Sequence, residues 1–256
     1  PNGVPFACYS ALCDIAAPIL HRVIQFLAAG GSPKGAFNLC SLFFLPKDGT
    51  GKPEANRPIA ASNTDNRIIA NVVRGKLESA ILDILSKKQF GFVRGRQIDE
   101  NIMFYNDKFY RALYSRFSPS LPAPGLRYRV GGKWISQDPR AGDPTGHDYN
   151  IAFFDFRKAY DSVSRDFVLL LLDRIGVPTY YINIIRALFH AVAAIPSLSR
   201  KTGVRISMED GLKQGCPLSC LLFILAIDPL LSLLEQLPNV DPRCYADDTA
   251  VGSRDV

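Results

Sequence analysis

Apolar positions recur at a helical spacing over several long stretches of this chain. Between residues 65 and 86, the spacing of Ile69, Val73 and Leu77 places an apolar stripe along one face of a helix. Lys87 and Lys88 follow, where the negative end of a helix dipole favours cations. The same pattern predicts further helices over residues 14–27, 165–175, 179–192 and 218–234.

Other stretches have the composition or the alternation of strands. Residues 37–45 and the run that ends at Asp155 are apolar, and residues 204–208 alternate as a half-buried strand does. Residues that favour extended structure lie on both sides of Ala246-Asp-Asp248, which predicts two strands joined by a tight turn. The coarse order suits an α+β domain with an antiparallel sheet covered by helices.

Residues 117–149 fit neither pattern. They contain five Pro and five Gly and keep no sustained period. We therefore expect a long loop or a partly disordered insertion.

Composition narrows the class of protein. The 256 residues are 47% hydrophobic and 21% charged, as in a globular protein, and 30 Lys and Arg against 24 Asp and Glu give a net charge of +6. That excess permits a polyanionic partner without proving one. The six cysteines form no Cys-x-x-Cys pair and only three histidines are present. We therefore expect free thiols rather than a zinc site. The chain shows no signal peptide and begins without Met, so we expect a fragment.

Two acidic segments carry the strongest candidate chemistry. Asp247 and Asp248 lie at the tip of the predicted hairpin, and Asp155 ends an apolar strand upstream. Adjacent side chains of a regular strand point to opposite faces, so the turn has to re-aim one aspartate if the pair is to converge. Asp is also common in turns that bind nothing. If the three carboxylates do meet, their repulsion requires a cation, and oxygen ligands suit Mg²⁺.

Three further segments have polar or glycine-rich chemistry. Lys47 and Arg57 flank a glycine-bearing loop, which suits either phosphate binding or a hairpin with solvated cations. Arg94 and Arg96 flank Gly95, so they either approach a nucleic-acid backbone or lie on a surface turn. The Gln214-Gly215 pair either offers a polar amide beside a backbone that a ligand can approach closely, or is only a turn that enters the predicted buried helix.

Taken together, these motifs resemble those of a known family. Tyr245-Ala-Asp-Asp248, the segment from Phe153 to Asp161 and Gln214-Gly-Cys-Pro-Leu-Ser219 are similar, in order and approximate spacing, to the palm motifs of reverse transcriptases. The resemblance is strongest to the enzymes of non-LTR (LINE-type) retrotransposons. It implies the right-hand polymerase fold, with fingers and a palm whose antiparallel sheet carries helices. Since no segment follows Val256, the thumb is expected to be missing.

The resemblance also implies a division of the chain into regions. Residues 1–88 are expected to form the fingers, 89–116 the junction of fingers and palm, and 117–149 the insertion or loop. Residues 150–175 are expected to form the palm around the first catalytic aspartate, and 176–208 a connection between fingers and palm. Residues 209–256 return to the palm with the Gln-Gly helix and the acidic hairpin.

For the catalytic centre, the resemblance implies Asp155 and Asp247 as bridging ligands of two Mg²⁺ ions, with Mn²⁺ as an alternative. Asp248 is expected to support the site more peripherally, and the Phe156 carbonyl is expected to complete one metal shell. Ala246 is small enough to admit the end of a primer.

For the substrates, the resemblance implies a nucleotide site that consists of Lys47, Arg57, Tyr160, Gln214 and Gly215. Tyr160 is expected to be a steric gate against a ribose 2′-hydroxyl. Nucleic-acid contacts are expected from Arg94, Arg96, Tyr245 and Ala246.

The function implied is RNA-directed DNA synthesis by nucleotidyl transfer to a primer 3′-hydroxyl. The expected partners are an RNA template, a DNA or RNA primer and dNTPs, without a membrane partner and with the oligomeric state open; family resemblance alone implies a nuclear location. Two alternatives stay open, an RNA-dependent RNA polymerase and a catalytically inactive retroelement remnant that binds nucleic acid. Tyr160 and the Tyr-Ala-Asp-Asp pattern argue against the first alternative, and the intact aspartates argue against the second.

Overall fold

The structure is a computed structural model that describes residues 3–46, 56–117, 126–130, 133–137, 149–198 and 201–254. The chain divides into two compact units, each assembled from separate stretches. Unit 1 comprises Pro1–Ile84 and Arg157–Ala226, and unit 2 comprises Leu85–Phe156 and Ile227–Val256.

The described helices and strands follow one another in a mixed order. The helices are α1 (Phe6–Ala11), α2 (Cys13–Ala28), α3 (Thr64–Ile84), α4 (Ile98–Phe117), α5 (Arg165–Arg174), α6 (Thr179–Phe189) and α7 (Ser219–Glu235). The strands are β1 (Leu39–Pro46), β2 (Asn56–Ser62), β3 (Leu126–Val130), β4 (Lys133–Gln137), β5 (Tyr149–Phe154), β6 (Ala193–Leu198), β7 (Lys201–Thr202), β8 (Ile206–Ser207), β9 (Val240–Tyr245) and β10 (Asp248–Arg254).

Unit 1 combines a sheet with helices that pack on one another. Its strand order is β2-β1-β6-β7, with β8 also paired to β6. β1 runs antiparallel to β2 and parallel to β6. Helix α3 buries Ile69, Val73, Leu77 and Ile81 at the spacing of one helical face, as the sequence predicted.

A buried polar network crosses the core of unit 1. The Asn38 side chain donates to the carbonyl oxygens of Ala187 and His190, and the Asn66 amide donates to Asn38 Oδ1 over 2.9 Å. Lys213 has no exposed surface; its Nζ lies 3.0 Å from the Leu188 carbonyl oxygen and 3.4 Å from Asn66 Oδ1. Burial lowers the pKa of this ammonium group because a charge is poorly solvated in the core. The network therefore joins β1, α3, α6 and the residue before Gln214.

Unit 2 is built on a three-stranded antiparallel sheet in the order β5-β10-β9. Helix α4 packs against this sheet. The buried Tyr105 hydroxyl of α4 lies 2.8 Å from the carbonyl oxygens of both Asp241 and Ala250. Desolvation raises the pKa of this phenol above its ordinary value. One side chain thus ties the helix to two strands.

The insertion predicted at residues 117–149 contains regular structure. β3 and β4 pair antiparallel as a hairpin within it, from Leu126 opposite Gln137 to Val130 opposite Lys133. Residues 126–130 and 133–137 therefore pair as a hairpin within the region where we expected a long loop or a partly disordered insertion. Only the first of the two segments, Leu126–Val130, alternates apolar and polar side chains, so the pattern was too weak to predict the hairpin.

Other differences from the sequence prediction are smaller. The half-buried strand predicted over residues 204–208 is the two-residue β8, and both of its residues are exposed. The pattern did not predict α4 or β6, and α6 ends at Phe189 rather than at residue 192. All six cysteines are free, with Cys40, Cys216 and Cys244 buried. Among the described helices, none is long and apolar enough to cross a membrane.

We expect replacement of Tyr105 by Phe to lower the free energy of unfolding by about 1 kcal/mol, because two strand carbonyls lose a buried donor. Urea unfolding of the purified chain measures the change. Tyr110→Phe is the matched control, since Tyr110 is exposed on the same helix and its replacement should change stability by less than about 0.5 kcal/mol. Equal effects of the two substitutions would contradict the role of Tyr105.

Candidate active site

The predicted acidic hairpin is present in unit 2. Tyr245 and Asp248 are opposite one another at the end of β9 and β10, so Ala246 and Asp247 form a two-residue turn. Ala246 has a φ of 57°, which lies in the left-handed region that two-residue hairpin turns require. Only 4% of Ala246 is exposed. The backbone of the turn is therefore tightly held directly before Asp247.

The third carboxylate arrives from the neighbouring strand. Thr249 of β10 is opposite Phe154, the last residue of β5. The next residues outward on these two strands are Asp248 and Asp155. Because the strands are antiparallel neighbours, both carboxylates emerge at the same end of the sheet.

Asp247 and Asp155 act electrostatically on Asp248. The pKa of Asp248 is raised, first because its carboxyl loses part of its hydration and then because Asp247 and Asp155 carry like charges. Oxygen donors of this kind suit a hard divalent cation. Within the residues that the structure describes, however, no three His, Cys, Asp or Glu side chains are grouped tightly enough to hold a metal ion. The three carboxylates have the ligand chemistry that Mg²⁺ prefers, but in this structure they do not lie close enough together to coordinate one ion.

A segment that precedes α4 holds the acidic turn. The Phe90 amide donates to the Cys244 carbonyl over 2.8 Å, and the Cys244 amide donates to the Lys88 carbonyl over 2.9 Å. The buried Gln89 side chain accepts a hydrogen bond from the Ala246 amide through its Oε1, over 3.0 Å. We call residues 88–91 the brace. Sequence reasoning gave a role in nucleic-acid binding to Arg94 and Arg96, which follow the brace, and did not predict the contact of the brace with the turn.

The brace approaches the turn so closely that only glycine fits at position 91. A Cβ atom built on Gly91 would lie 2.2 Å from the Ala246 backbone nitrogen and 2.8 Å from the Tyr245 carbonyl carbon. Distances this short force the backbone to move. Glycine is therefore needed here for close backbone contact.

The two arginines predicted to contact nucleic acid differ in their surroundings. Arg94 is exposed. Arg96 is half-buried, and its Nη1 donates to the carbonyl oxygens of Ser86 and Gln89 over 2.7 and 2.6 Å. Arg96 thus stabilises the brace, a role that the sequence did not reveal.

The residues predicted to bind the nucleotide lie in unit 1. Tyr160 lies in a short 3₁₀ helix, and its ring stacks on Phe223 with 4.7 Å between the ring centres. Its hydroxyl also lies 3.5 Å from the Cys220 sulfur. Arg57 is exposed on β2, and Lys47 lies outside the described residues.

The Gln214-Gly215 pair is anchored to β2. The Ala60 amide donates to the Gln214 carbonyl oxygen over 2.7 Å. Gly215 has a φ of 109°, and a Cβ atom there would lie 2.8 Å from the Ala60 carbonyl oxygen. The glycine is therefore required by its backbone conformation and by its contact with β2.

Solved structures establish the fold. A Candida tropicalis telomerase, in apo form and truncated from its C-terminal domain, superposes with a TM-score of 0.52 over 86% of this chain and 44% of that chain, at 14% identity. Telomerase from the same species, solved with the TWJ fragment of telomeric RNA, gives a TM-score of 0.51 over 94% of this chain and 40% of that chain, at 13% identity. The fold is the right-hand polymerase fold.

Sequence comparison identifies the family. Residues 45–255 match the model of the reverse transcriptase (RNA-dependent DNA polymerase) family, and the chain belongs to that family. It is 23% identical, over its whole length, to the transposon TX1 uncharacterized 149 kDa protein of Xenopus laevis, of which it spans 18%. It is 25% identical, over 77% of its length, to a Pol polyprotein of the type-1 retrotransposable element R2 from Popillia japonica, of which it spans 23%. Both relatives are proteins of non-LTR retrotransposons.

We expect Gly215→Ala to destabilise the chain more than Gly35→Ala. Both glycines have a positive φ, but a Cβ atom at Gly35 would have no heavy atom within 4 Å. Gly35→Ala should therefore cost about 1 kcal/mol of backbone strain, whereas Gly215→Ala should cost at least about 1 kcal/mol more. Thermal unfolding of both variants tests this, and equal losses would show that contact with Ala60 does not matter.

Proposed function

We propose that this chain is the RNA-directed DNA polymerase region of a non-LTR retrotransposon protein, adding nucleotides to a primer 3′-hydroxyl. The observation that carries the proposal is the position of three aspartates at one end of the β5-β10-β9 sheet, in a chain of the reverse transcriptase family. Nucleotidyl transfer requires charge stabilisation and positioning more than covalent chemistry by side chains. A cluster of carboxylates that binds divalent cations meets the first requirement.

Asp155 and Asp247 are the proposed ligands of two divalent ions, Mg²⁺ or Mn²⁺, with the Phe156 carbonyl as an additional donor. When bound, such ions supply Lewis acidity to the attacking hydroxyl and to the departing pyrophosphate. Asp248 and Asp155 each lie one residue beyond the paired Thr249 and Phe154. The pKa of Asp248 is raised first by loss of hydration and then by the charges of Asp247 and Asp155, which a cation would offset. The role of these side chains is to hold negative charge at fixed positions at the end of the sheet.

Residues of unit 1 are proposed to bind the incoming nucleotide. Arg57 provides an exposed cation, with Lys47 as its predicted partner, for the triphosphate. Gln214 and Gly215 provide a loop whose backbone is fixed by Ala60. Tyr160, held by its stacking on Phe223, is proposed to exclude a ribose 2′-hydroxyl and so to select dNTPs.

An RNA template and a DNA or RNA primer are the proposed macromolecular partners. The chain has a net charge of +6, which favours association with polyanions. Arg94 is exposed in unit 2, and we propose that it contacts the phosphate backbone together with Arg96. Tyr245 and Ala246 are proposed to meet the primer end at the acidic turn.

A second candidate is a member of the family that binds nucleic acid without catalysis. It is favoured by the absence, among the described residues, of a group of three ligands able to hold a metal ion. The two candidates differ in one measurable property, since only the polymerase extends a primer.

We expect the purified chain to extend a primer on an RNA template with Mg²⁺ and dNTPs, and Asp247→Asn to lower that activity more than about 100-fold because a metal ligand loses its charge. The matched control is Asp173→Asn, an exposed aspartate of α5 in unit 1, which should retain full activity. Radiolabelled primer extension measures both variants. A folded wild-type chain that binds template and primer but never extends them would favour the second candidate.

We expect Tyr160→Ala to raise the incorporation of rNTPs relative to dNTPs, because the aromatic ring no longer occupies the space of a 2′-hydroxyl. Tyr160→Phe keeps the ring and should retain the preference for dNTPs. The ratio of kcat/KM for dNTP to that for rNTP, measured on the same primer and template, tests the assignment. An unchanged ratio in Tyr160→Ala would show that Tyr160 does not exclude the 2′-hydroxyl. A preference of the wild-type chain for rNTPs would indicate an RNA polymerase.

A further inference from the structure

We infer that Gln89 is a positioning residue for catalysis, because its side-chain carbonyl holds the backbone of the acidic turn and thereby sets the place of Asp247. This inference rests on the proposed polymerase function. It assigns to the brace a task inside the active centre rather than a contact with the template.

The hydrogen bonds of Gln89 define which part of its side chain matters. Oε1 accepts from the Ala246 amide over 3.0 Å and from the Gly91 amide over 2.9 Å. Because both partners are N–H donors, the atom they share has to be the amide oxygen. The Nε2 atom is buried and has no hydrogen-bond partner among the described residues. The Gln89 side chain therefore acts only as an acceptor, with its Oε1 atom bound by two backbone amides.

The position of the bonded amide explains why one acceptor controls the turn. Ala246 precedes Asp247 directly, is almost fully buried and has a left-handed backbone. Non-glycine residues adopt this conformation at a cost and keep it only where neighbouring contacts enforce it. The acceptor at Gln89 is such a contact, since it anchors the peptide unit from which the Asp247 backbone continues.

The backbone that carries Gln89 is itself fixed on both sides. Hydrogen bonds from Phe90 to Cys244 and from Cys244 to Lys88 lock the brace to β9, and the Asn101 amide also donates to the Cys244 carbonyl over 3.3 Å. Arg96 holds the Gln89 carbonyl from the other side. Gln89 thus extends its oxygen from a rigid support toward the turn, which is what positioning requires.

Loss of the acceptor should affect turnover more than substrate binding. In unit 2, Asp155 directly follows β5 and Asp247 lies in the turn, so their spacing depends on how firmly the turn is held. A displacement of about 1 Å at a reacting centre can cost about 100-fold in rate. Nucleotide and template affinity depend on other proposed residues and should change little.

The test compares three variants of the full chain. Gln89→Leu removes the acceptor. Gln89→Glu keeps carboxylate oxygens that can accept hydrogen bonds from the same two amides. Gln97→Leu, at an exposed glutamine shortly after the brace, is the control. In primer extension, we expect Gln89→Leu to lower kcat about 10-fold to 100-fold with KM for dNTP within about twofold, and Gln89→Glu to recover most of kcat. Gln97→Leu should match the wild type.

A second measurement does not depend on catalysis. Hydrogen exchange of the Ala246 amide, followed by NMR or mass spectrometry, should be faster in Gln89→Leu and slow in Gln89→Glu and in the wild type. Unchanged exchange in Gln89→Leu would overturn the inference. So would a Gln89→Leu variant with normal kcat and merely lower stability, or a Gln89→Glu variant as slow as Gln89→Leu. If the wild type extends no primer, the proposed function fails while the exchange experiment still tests the contact.

Discussion

The register of one antiparallel sheet is the constraint on which the candidate active site depends. Pairing of Thr249 with Phe154 and of Asp248 with Tyr245 leaves three aspartates at one end of the sheet, at the ends of β5 and β10 and in the turn between β9 and β10. A shift of the register by one residue would move each side chain to the other face of the sheet and separate the carboxylates. Tyr105 and the brace both form hydrogen bonds with the backbone of this sheet, so they help to hold that register.

Unit 1 uses polar groups in its core for a comparable purpose. Lys213, Asn66 and Asn38 are nearly or fully buried and bond to one another and to carbonyl oxygens of α6 and the residue after it. A polar group in the core is costly unless its bonds are satisfied, so the network tolerates few alternative arrangements of α3 and α6. The loop of Gln214 and Gly215 begins directly after Lys213, so the buried contacts of Lys213 also limit where this loop can lie.

Much of the fold could be predicted because its pattern is local. The stripe of α3, the apolar run before Asp155 and the β-favouring residues around Ala246-Asp-Asp248 are each visible within one stretch of sequence. Gln89 could not be assigned in this way, because its partner Ala246 lies 157 positions away. Lys213 was overlooked for another reason, since a lysine is rarely fully buried and its charge argues for the surface. Strands as short as β8 form only where a partner strand is available, so their own residues predict little.

The two units are interleaved along the chain, and this has a consequence for folding. The main chain passes from one unit to the other after Ile84, after Phe156 and after Ala226, so neither unit is one continuous stretch. β5 and β10 pair across about a hundred intervening residues, which makes closure of this sheet entropically costly and slow compared with local hairpins. During synthesis, β5 leaves the ribosome well before its partner exists. Before β10 has been synthesised, the backbone N–H and C=O groups of β5 have no partner strand. Phe153 and Phe154, which are exposed even in the folded chain, add apolar surface to this unpaired strand, and together these features favour association with chaperones or with other chains.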